Sequence, residues 1–307
     1  MTIVQRIRPA VHAAESYTKS GAERRRDFPT WHFPMVNDES RNRAIEEAIA
    51  SLDLRGKSVV EIGTGTGLIA LLFARHGAER VYTCEMNPNL AELAKRIVDE
   101  AGFADKVSVI NESSAVAIAR GLLPKEPGVV FTETLDCGVI GEGFFPIADD
   151  IAKLRGPDTL VMPATVTQYV TLIESATIAN LNRAGHTCGF DLSALNTFST
   201  RSYFPVRSEL HRHRFLSHAA EVRTYTYLDC PPSIPAVLTA VADGTVHGVM
   251  SWFSADFGGA ITSTEPESGS HWHQAFHPLQ DDMHVKRGDK LAVEIDDSGY
   301  AWVVKLD

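Results

Sequence analysis

The sequence predicts an α/β chain in which a parallel-sheet domain precedes an antiparallel β domain. From about residue 41 to residue 162, apolar strand patterns alternate with helical patterns, as in parallel sheets that helices cover on both faces. Beyond residue 163, strand patterns follow one another with turn signals between them, which favours antiparallel pairing. The 307 residues are enough for two domains of ordinary size.

We expect three parts along the chain. An N-terminal helical segment is expected over residues 1–40, a Rossmann-like domain over residues 41–163, and a β-barrel-like domain over residues 164–307. Within the last part, residues 175–218 have a mixed polar pattern with helical pieces. That pattern predicts an arm that projects from the β domain.

Each element of the first half has a local signal. Apolar residues at helical spacing predict helices over 41–52, 68–75 and 88–101. The third helix has Asn87 as its N-cap and Pro88 in its first turn, and Gly102 stops it. Strands are predicted at 57–62, 81–84, 107–110 and 129–132.

The second half is predicted from strand-like segments alone. These segments are residues 165–173, 223–228, 245–253, 290–295 and 300–305. Asp296-Asp297-Ser298-Gly299 supplies the turn between the last two.

Composition excludes several classes of protein. Hydrophobic residues make up 44% and charged residues 22%, which is typical of a globular chain and not of a rod or a disordered tail. The net charge of −10 disfavours nucleic acid and favours a cationic partner. Four cysteines without a CxxC pair favour a reducing compartment. We find no secretory signal, membrane span or metal-ligand spacing, and expect a cytoplasmic protein.

A glycine-rich segment joins the first strand to the second helix. Residues 59–67 read V-V-E-I-G-T-G-T-G, and glycines let the backbone turn tightly and approach a ligand. The spacing differs from the GxGxxG of dinucleotide-binding folds, and no Lys-Ser/Thr follows for a P-loop. The second strand ends in Glu85, a carboxylate that can accept both ribose hydroxyls. The combination favours S-adenosylmethionine (SAM), which has a ribose but no phosphates; an ordinary turn beside a solvated acid is the alternative.

Two carboxylates border a second glycine-rich loop after the fourth strand. Glu133 and Glu142 lie nine positions apart, at the strand end where ligands bind in doubly wound sheets. Two neighbouring anions raise one pKa unless a cation joins them, and a guanidinium suits bidentate pairing with carboxylates. Taken alone, the two residues are better explained as solvated loop acids.

Four motifs together resemble the protein arginine methyltransferase family. The E-x8-E spacing is similar to the double-glutamate loop of that family, and M-V-N-D-E-S-R at residues 35–41 resembles its M-L-x-D-x-x-R segment. Ser270-His271-Trp272 resembles its T-H-W loop, and V-I-G-E-G at residues 139–143 is similar to the monomethylating type III branch. The resemblance covers about residues 31–307. It implies a SAM domain, a β-barrel-like domain and a dimerisation arm, and hence a homodimer.

The resemblance also implies residue roles. Glu133 and Glu142 would clamp the guanidinium, and Trp272 would shape the arginine channel. His271 and Asp38 would form a pair across the site. Either this pair or Glu142 would take the departing proton. The cofactor-binding residues implied are Arg41 for the SAM carboxylate, Glu85 for the ribose, Glu112 or Ser113 for the adenine, and Glu61, Gly63, Gly65, Gly67 and Met86 around them.

One departure from the family concerns the segment that covers the cofactor. The usual Y-F-x-x-Y signature is absent, and residues 27–34 read D-F-P-T-W-H-F-P instead. The signature residues that cover SAM in the family therefore have no direct counterpart here, and the departure weakens any expectation of dimethylation.

The expected activity is arginine N-methylation that gives Nω-monomethylarginine. The bulk of Leu135 and Phe144, two positions after each glutamate, would leave little room for a second methyl group if both face the pocket. We favour free L-arginine as acceptor, because no docking domain is visible and Glu265 and Glu267 could meet its amine. Protein or peptide arginine is the alternative; methylation of another small amine and a non-catalytic scaffold are further ones.

Overall fold

The computed structural model describes residues 29–306. The part of the predicted N-terminal helical segment that precedes residue 29 lies outside the described residues. From residue 29 onward, two helices come before the first strand. They are α1 (His32–Val36) and α2 (Glu39–Ala50).

Five parallel strands form the first sheet, in the order β3-β2-β1-β4-β5. They are β1 (Ser58–Ile62), β2 (Arg80–Cys84), β3 (Val107–Ile110), β4 (Val129–Thr132) and β5 (Leu160–Met162). The strand order reverses between β1 and β4, and the carboxyl ends of those two strands frame the crevice in which ligands bind in such sheets.

Helices connect these strands; the sequence patterns predict the first two of them, and the last two have no counterpart in the prediction. They are α3 (Leu68–Arg75), α4 (Pro88–Glu100), α5 (Ser114–Ala119) and α6 (Phe144–Leu154). The predicted N-cap of α4 is confirmed, because the Asn87 side chain accepts hydrogen bonds from the backbone N–H groups of Asn89 and Leu90.

The second half forms two antiparallel sheets that enclose one apolar cluster, a barrel-like arrangement. The larger sheet is centred on β6 (Thr165–Glu174), β13 (Gly244–Asp256) and β15 (Gln274–Val285), with β9 (Phe204–Val206), β10 (Arg214–Phe215), β11 (Ala220–Tyr225) and β14 (Ile261–Ser263) around them. The smaller sheet contains β12 (Ala236–Thr239), β16 (Lys290–Ile295) and β17 (Ala301–Leu306).

Several strands of the β domain depart from the sequence prediction, which has none at β12, β14 or β15 and displaces β11. The strand expected at 223–228 lies earlier, as β11, and its pairing with β6 shifts register between Glu221 and Arg223. The prediction has no strand at β15, because Pro278 interrupts its pattern and four consecutive residues at its start are buried. A period-2 pattern is therefore missing there.

The segment between β6 and β11 is only partly a projection. The short helix α7 (Ala176–Ala179) leads to a hairpin of β7 (His186–Thr187) and β8 (Phe190–Asp191). The chain then returns to the larger sheet, where β9 pairs with β15 and β10 pairs with β6. Residues 181–198 are thus the part of the predicted arm that stands away from the sheets, and most of them are exposed.

The two domains share one hydrophobic core. Phe144, at the start of α6, stacks on Tyr227 with ring centroids 4.4 Å apart. Phe131 in β4 stacks on Phe257 at 5.9 Å. The cluster around these rings continues from the parallel sheet into the β domain, and it fixes the two domains against each other.

Between residues 29 and 306, the longest apolar helical stretches fall short of what a bilayer crossing requires.

Candidate active site

A cavity of about 660 Å³ opens at the carboxyl ends of β1, β2 and β4. Its size lies within the range of small-molecule sites. The cavity brings together most of the predicted site residues. Those that line it are Arg41, Glu61, Gly63, Gly65, Glu85, Met86, Glu112, Ser113, Glu133, Glu142, His271 and Trp272.

The glycine-rich turn forms the floor of the cavity. Gly63 and Gly65 both have positive φ angles, of 90° and 52°. A Cβ atom on Gly63 would lie 2.8 Å from the Thr134 methyl group, and one on Gly65 would lie 3.5 Å from the His32 ring. The absence of side chains lets the turn sit between the β4 loop and α1.

Gly67 ends the glycine-rich turn. It lies between two residues that line the cavity, Thr66 and Leu68, but is not among the lining residues itself. It precedes α3, and a Cβ atom there would lie 3.6 Å from Ala94 in α4, so this glycine also allows the two helices to pack closely.

Glu85 closes the cavity at the end of β2. One carboxylate oxygen accepts a hydrogen bond from the backbone N–H of Gly65 at 3.0 Å, and the other accepts one from Asn87 at 2.8 Å. A carboxylate offers about four lone-pair sites. Both oxygens therefore keep acceptor capacity for a pair of hydroxyl groups.

Glu61 is a buried acid behind the glycine turn. Burial raises its pKa to about 8, aided by the nearby Glu85 charge, while a hydrogen bond from Thr83 and the Arg41 charge oppose the rise. Thr83 in turn shares its hydroxyl with Thr64. This network ties β1, β2 and the glycine turn together beneath the cavity.

Arg41 and Glu133 contact each other directly. The Arg41 guanidinium donates from Nε and from a terminal nitrogen to the two oxygens of Glu133, the Nε contact being 2.6 Å. Both side chains are almost completely buried. The resemblance implies separate partners for the two residues, the SAM carboxylate for Arg41 and the acceptor guanidinium for Glu133, whereas here they pair with each other in a bidentate contact.

Glu142 reaches the cavity from the other end of the same loop. Its side chain keeps contact with solvent through the cavity. The surrounding protein nonetheless raises its pKa to about 7, and the Asp136 and Glu85 carboxylates add to the rise. A carboxyl group that titrates near neutral pH can both bind a cation and take up a proton.

His271 and Asp38 form a close pair at the opposite wall. Asp38 accepts hydrogen bonds from the His271 ring at Nδ1 and from its backbone N–H, each at 2.9 Å. Burial alone would raise the pKa of Asp38, but N–H donors from His271 and Arg41 bring it well below the usual range. Burial also lowers the pKa of His271, against the pull of Asp38. Asp38 itself caps α2 and does not line the cavity.

Trp272 and Leu135 narrow the cavity beside the two glutamates. The indole N–H of Trp272 donates to the Leu135 carbonyl at 2.8 Å, and both residues line the cavity. Phe144 does not. The condition that Phe144 faces the pocket is not met, because its ring is fully buried in the core between the domains.

The remaining predicted contacts divide between the cavity and the surface. Glu112 lines the cavity and pairs with Arg120, while Ser113 caps α5 through the N–H of Val116. Glu265 and Glu267 are exposed and do not line it. The structure thus places no acid from that loop where it could meet an amine inside the cavity.

Several lining residues were missed by the sequence analysis. His32 and Met35 of α1 cover the glycine turn. His32 lies in the D-F-P-T-W-H-F-P segment that departs from the family signature, and Met35 opens the M-V-N-D-E-S-R motif. Asp150, buried in α6, accepts a hydrogen bond from Ser114 at 2.7 Å; its position inside a helix gave no signal.

Comparison with known proteins places these features in a family. A model described as the arginine methyltransferase oligomerization subdomain matches residues 164–299, and one described as O-methyltransferase matches residues 50–127. Arginine N(omega)-methyltransferase of Streptomyces achromogenes subsp. streptozoticus is 38% identical over 92% of this chain and 80% of its own length. Protein arginine N-methyltransferase 9 of Homo sapiens is 26% identical over 86% of this chain, which spans about a third (36%) of that relative.

Solved structures share the fold. The Trypanosoma brucei PRMT1 enzyme-prozyme heterotetrameric complex with AdoHcy superposes with a TM-score of 0.73 at 18% identity, and the match covers 95% of this chain and 100% of that one. Arabidopsis thaliana protein arginine methyltransferase 10 gives a TM-score of 0.69 at 19% identity, covering 87% of each chain.

These matches confirm the predicted two-domain fold class and the predicted SAM-dependent methyltransferase class. The two family models cover the parallel-sheet domain and the β domain separately, in the expected order. Because a relative 38% identical is matched over four fifths of its length, the chain belongs to the arginine methyltransferase family.

Proposed function

We propose that this protein transfers a methyl group from SAM to a guanidino nitrogen of arginine. One observation carries the proposal: Glu133 and Glu142 line the same cavity as the glycine turn and Glu85. The contact between Arg41 and Glu133 supports it, because it has the bidentate form that a bound guanidinium would take. Since a carboxylate has about four lone-pair sites, Glu133 can hold Arg41 and an acceptor together.

The residues of the cavity fit SAM. Glu85 would hold the ribose hydroxyls, Arg41 the carboxylate, and Glu112 or Ser113 the adenine edge. Gly63 and Gly65 line the same cavity, where SAM would pass close to the turn. When bound, SAM supplies an electrophilic methyl group on a sulfonium cation.

The two glutamates offset the repulsion between the two cationic reactants. A guanidinium and a sulfonium repel each other by about 4 kcal/mol at roughly 4 Å and an effective dielectric near 20. Carboxylates on either side of the acceptor offset that repulsion. They also draw positive charge towards the nitrogens that they bind, which leaves another nitrogen better able to attack.

Glu142 is our proposed acceptor for the proton that leaves the methylated nitrogen. Its pKa of about 7 lies near the working pH, where general bases are most effective. Asp38 holds the His271 ring in place. We assign this pair the role of orienting the wall of the site.

We propose monomethylarginine as the product. Leu135 and Trp272 support this proposal, because their side chains line the cavity beside the glutamates and the Trp272–Leu135 hydrogen bond fixes their spacing. Phe144 contributes nothing to it.

Free L-arginine is the acceptor that we favour. The support is the similarity to the Streptomyces arginine N(omega)-methyltransferase, which is matched over most of both chains, whereas protein arginine N-methyltransferase 9 is matched over about a third (36%) of its own length. Protein or peptide arginine is the competing acceptor, and the net charge of −10 suits a basic peptide equally well.

Parallel assays with labelled SAM test the proposal. Free L-arginine and an Arg-Gly-rich peptide are offered separately, and mass spectrometry identifies the product at early times. We expect labelled monomethylarginine from the free amino acid, and its loss in Glu142→Gln with SAM affinity retained. Methylation of the peptide alone would overturn the free-arginine assignment, and methylation of neither would overturn arginine as the substrate.

We also propose a cytoplasmic homodimer. The match to an oligomerization subdomain and the exposed apolar side chains of residues 181–198 support the dimer. Four cysteines that form no disulfide support a reducing compartment.

A further inference from the structure

The loop that carries the two glutamates is held by a side chain from the other domain. Tyr203 precedes β9, and its hydroxyl donates a hydrogen bond to the Asp136 carboxylate at 2.8 Å. The other oxygen of Asp136 accepts from the backbone N–H groups of Gly138 and Gly141, at 3.1 and 2.9 Å. Asp136 therefore joins the backbone of the loop to the Tyr203 side chain.

The glycines of the loop leave space for the Tyr203 ring. Cβ atoms on Gly138 or Gly299 would overlap the ring itself, and one on Gly141 would lie 2.7 Å from its hydroxyl oxygen. A loop with side chains at these positions could not accept the tyrosine. The ring is thus enclosed by the double-glutamate loop on one side and the β16–β17 turn on the other.

The Tyr203 side chain is itself held in place by its neighbours. Tyr203 lies against His277, with ring centroids 5.4 Å apart. His277 is fully buried and bonds at one nitrogen to the Gly299 carbonyl and at the other to Ser251. A side chain fixed in this way can hold a loop without itself moving.

The loop needs such a support, because its backbone is strained. Val139 has a φ of 76°, a left-handed conformation that is a genuine outlier for a β-branched residue. Strain of this kind costs about 1–3 kcal/mol and persists only where the surroundings impose it. Val139 lies three residues before Glu142, so relaxation of its backbone would move that carboxylate.

We propose that Tyr203 is a positioning residue: through Asp136, its hydroxyl holds residues 136–143 in the strained conformation that presents Glu142 to the acceptor. This inference rests on the proposed arginine methyl transfer. It names a residue of the β domain, 61 positions after Glu142, on which that transfer depends. Tyr203 does not touch the cavity. Its effect therefore acts on the loop and leaves the cofactor contacts at Glu85 intact.

The test removes only the hydroxyl group. In Tyr203→Phe we expect hydrogen exchange at the Gly138 and Gly141 amides to rise by about tenfold or more, since a hydrogen bond to a charged group is lost. We expect kcat for arginine to fall by a similar factor while the Kd for SAM is unchanged. Tyr169→Phe, which alters a tyrosine stacked on Trp252, is the matched control and should leave every measurement at the wild-type value.

A second variant keeps the inference testable if Tyr203→Phe folds poorly. Asp136→Asn retains an oxygen for the two glycine amides and can donate to the Tyr203 oxygen. It removes a negative charge near Glu142, so the loop should stay protected while the pH profile of kcat/KM shifts to lower pH. Wild-type exchange and kcat in Tyr203→Phe, or loss of loop protection in Asp136→Asn, would overturn the proposal.

The proposed function and the positioning role of Tyr203 can be disproved separately. If the wild-type protein does not methylate arginine, the proposed function falls, and hydrogen exchange alone then decides whether Tyr203 holds the loop. If the wild-type protein is active and both exchange and kcat of Tyr203→Phe match it, only the positioning role falls.

Discussion

At the scale of single residues, Glu142 and Glu133 are a pair of acids with different surroundings. Arg41 neutralises Glu133 through a bidentate contact, so the two carboxylates do not simply compete for one proton. The pKa of Glu142 is raised by burial first and by Asp136 and Glu85 second. The expectation that one acid of the pair has a raised pKa thus has a different cause from direct repulsion between the two.

The raised pKa predicts a pH dependence. Below about pH 7, Glu142 is protonated in the free enzyme and loses its attraction for a guanidinium, so kcat/KM for arginine should rise through an apparent pKa near 7. In the complex, the bound cation favours the carboxylate, and the profile of kcat should lie at lower pH. Initial rates at constant ionic strength across this range would measure both profiles. If kcat/KM stays constant between about pH 5.5 and about pH 8.5, Glu142 is not the titrating group that binds arginine.

At the scale of elements, local signals predict the first four strands of the parallel sheet and the helices α2, α3 and α4, but not α5, α6 or β5. Asn87 and Pro88 define the start of α4 from adjacent residues, and the strands of the parallel sheet are short apolar runs. Contacts between distant residues could not be predicted in this way. The pairs Arg41–Glu133 and Tyr203–Asp136 join residues 92 and 67 positions apart, and the inward turn of Phe144 depends on tyrosines in the other domain.

The family motifs predict some of the long-range contacts that local patterns cannot. They placed His271 near Asp38 although the two are 233 positions apart, because the resemblance carries long-range information that periodicity lacks. They do not predict that Gly67 packs near Ala94 of α4. Motif positions thus predict which residues gather at the site better than they predict what each one contacts.

The glycine turn gives a prediction at the element scale. Gly63→Ala puts a methyl group against Thr134, next to Glu133, in addition to the cost of a positive φ. Gly77→Ala has the second cost alone, since its φ is 101° and nothing lies within 4 Å. We expect Gly77→Ala to lose about 1–2 kcal/mol of unfolding free energy with normal turnover, and Gly63→Ala to lose more and to weaken SAM binding.

Urea unfolding and SAM titration would make this comparison. Equal losses of stability in the two variants, with equal SAM affinity, would mean that the contact between the glycine turn and the Thr134 segment has no effect on the site.

At the scale of the whole molecule, the exposed apolar side chains of residues 181–198 are the feature that a dimer would explain. Leu181, Phe190, Leu195 and Phe198 are each more than half exposed, Phe198 at 87%. Surface apolar groups concentrated on one projection are typical of an interaction site.

We expect a dimer at micromolar concentration and a monomer after Phe190→Glu with Phe198→Glu, because charged groups would be buried in the interface at high cost. Light scattering after size-exclusion chromatography would measure the masses. Val304→Glu, on the exposed face of β17, is the control and should remain dimeric. A wild-type monomer under these conditions would rule out the proposed homodimer.

The packing of Phe144 between the domains has a consequence for how ligands reach the site. Phe144 follows Glu142 by two residues, and its ring is stacked on Tyr227 of the second domain. The wall of the cavity therefore crosses the domain boundary as continuous packing, and a hinge rotation of the two halves would have to break aromatic contacts first. We therefore expect the pocket to keep its shape as ligands enter and leave, without a rotation of one domain against the other.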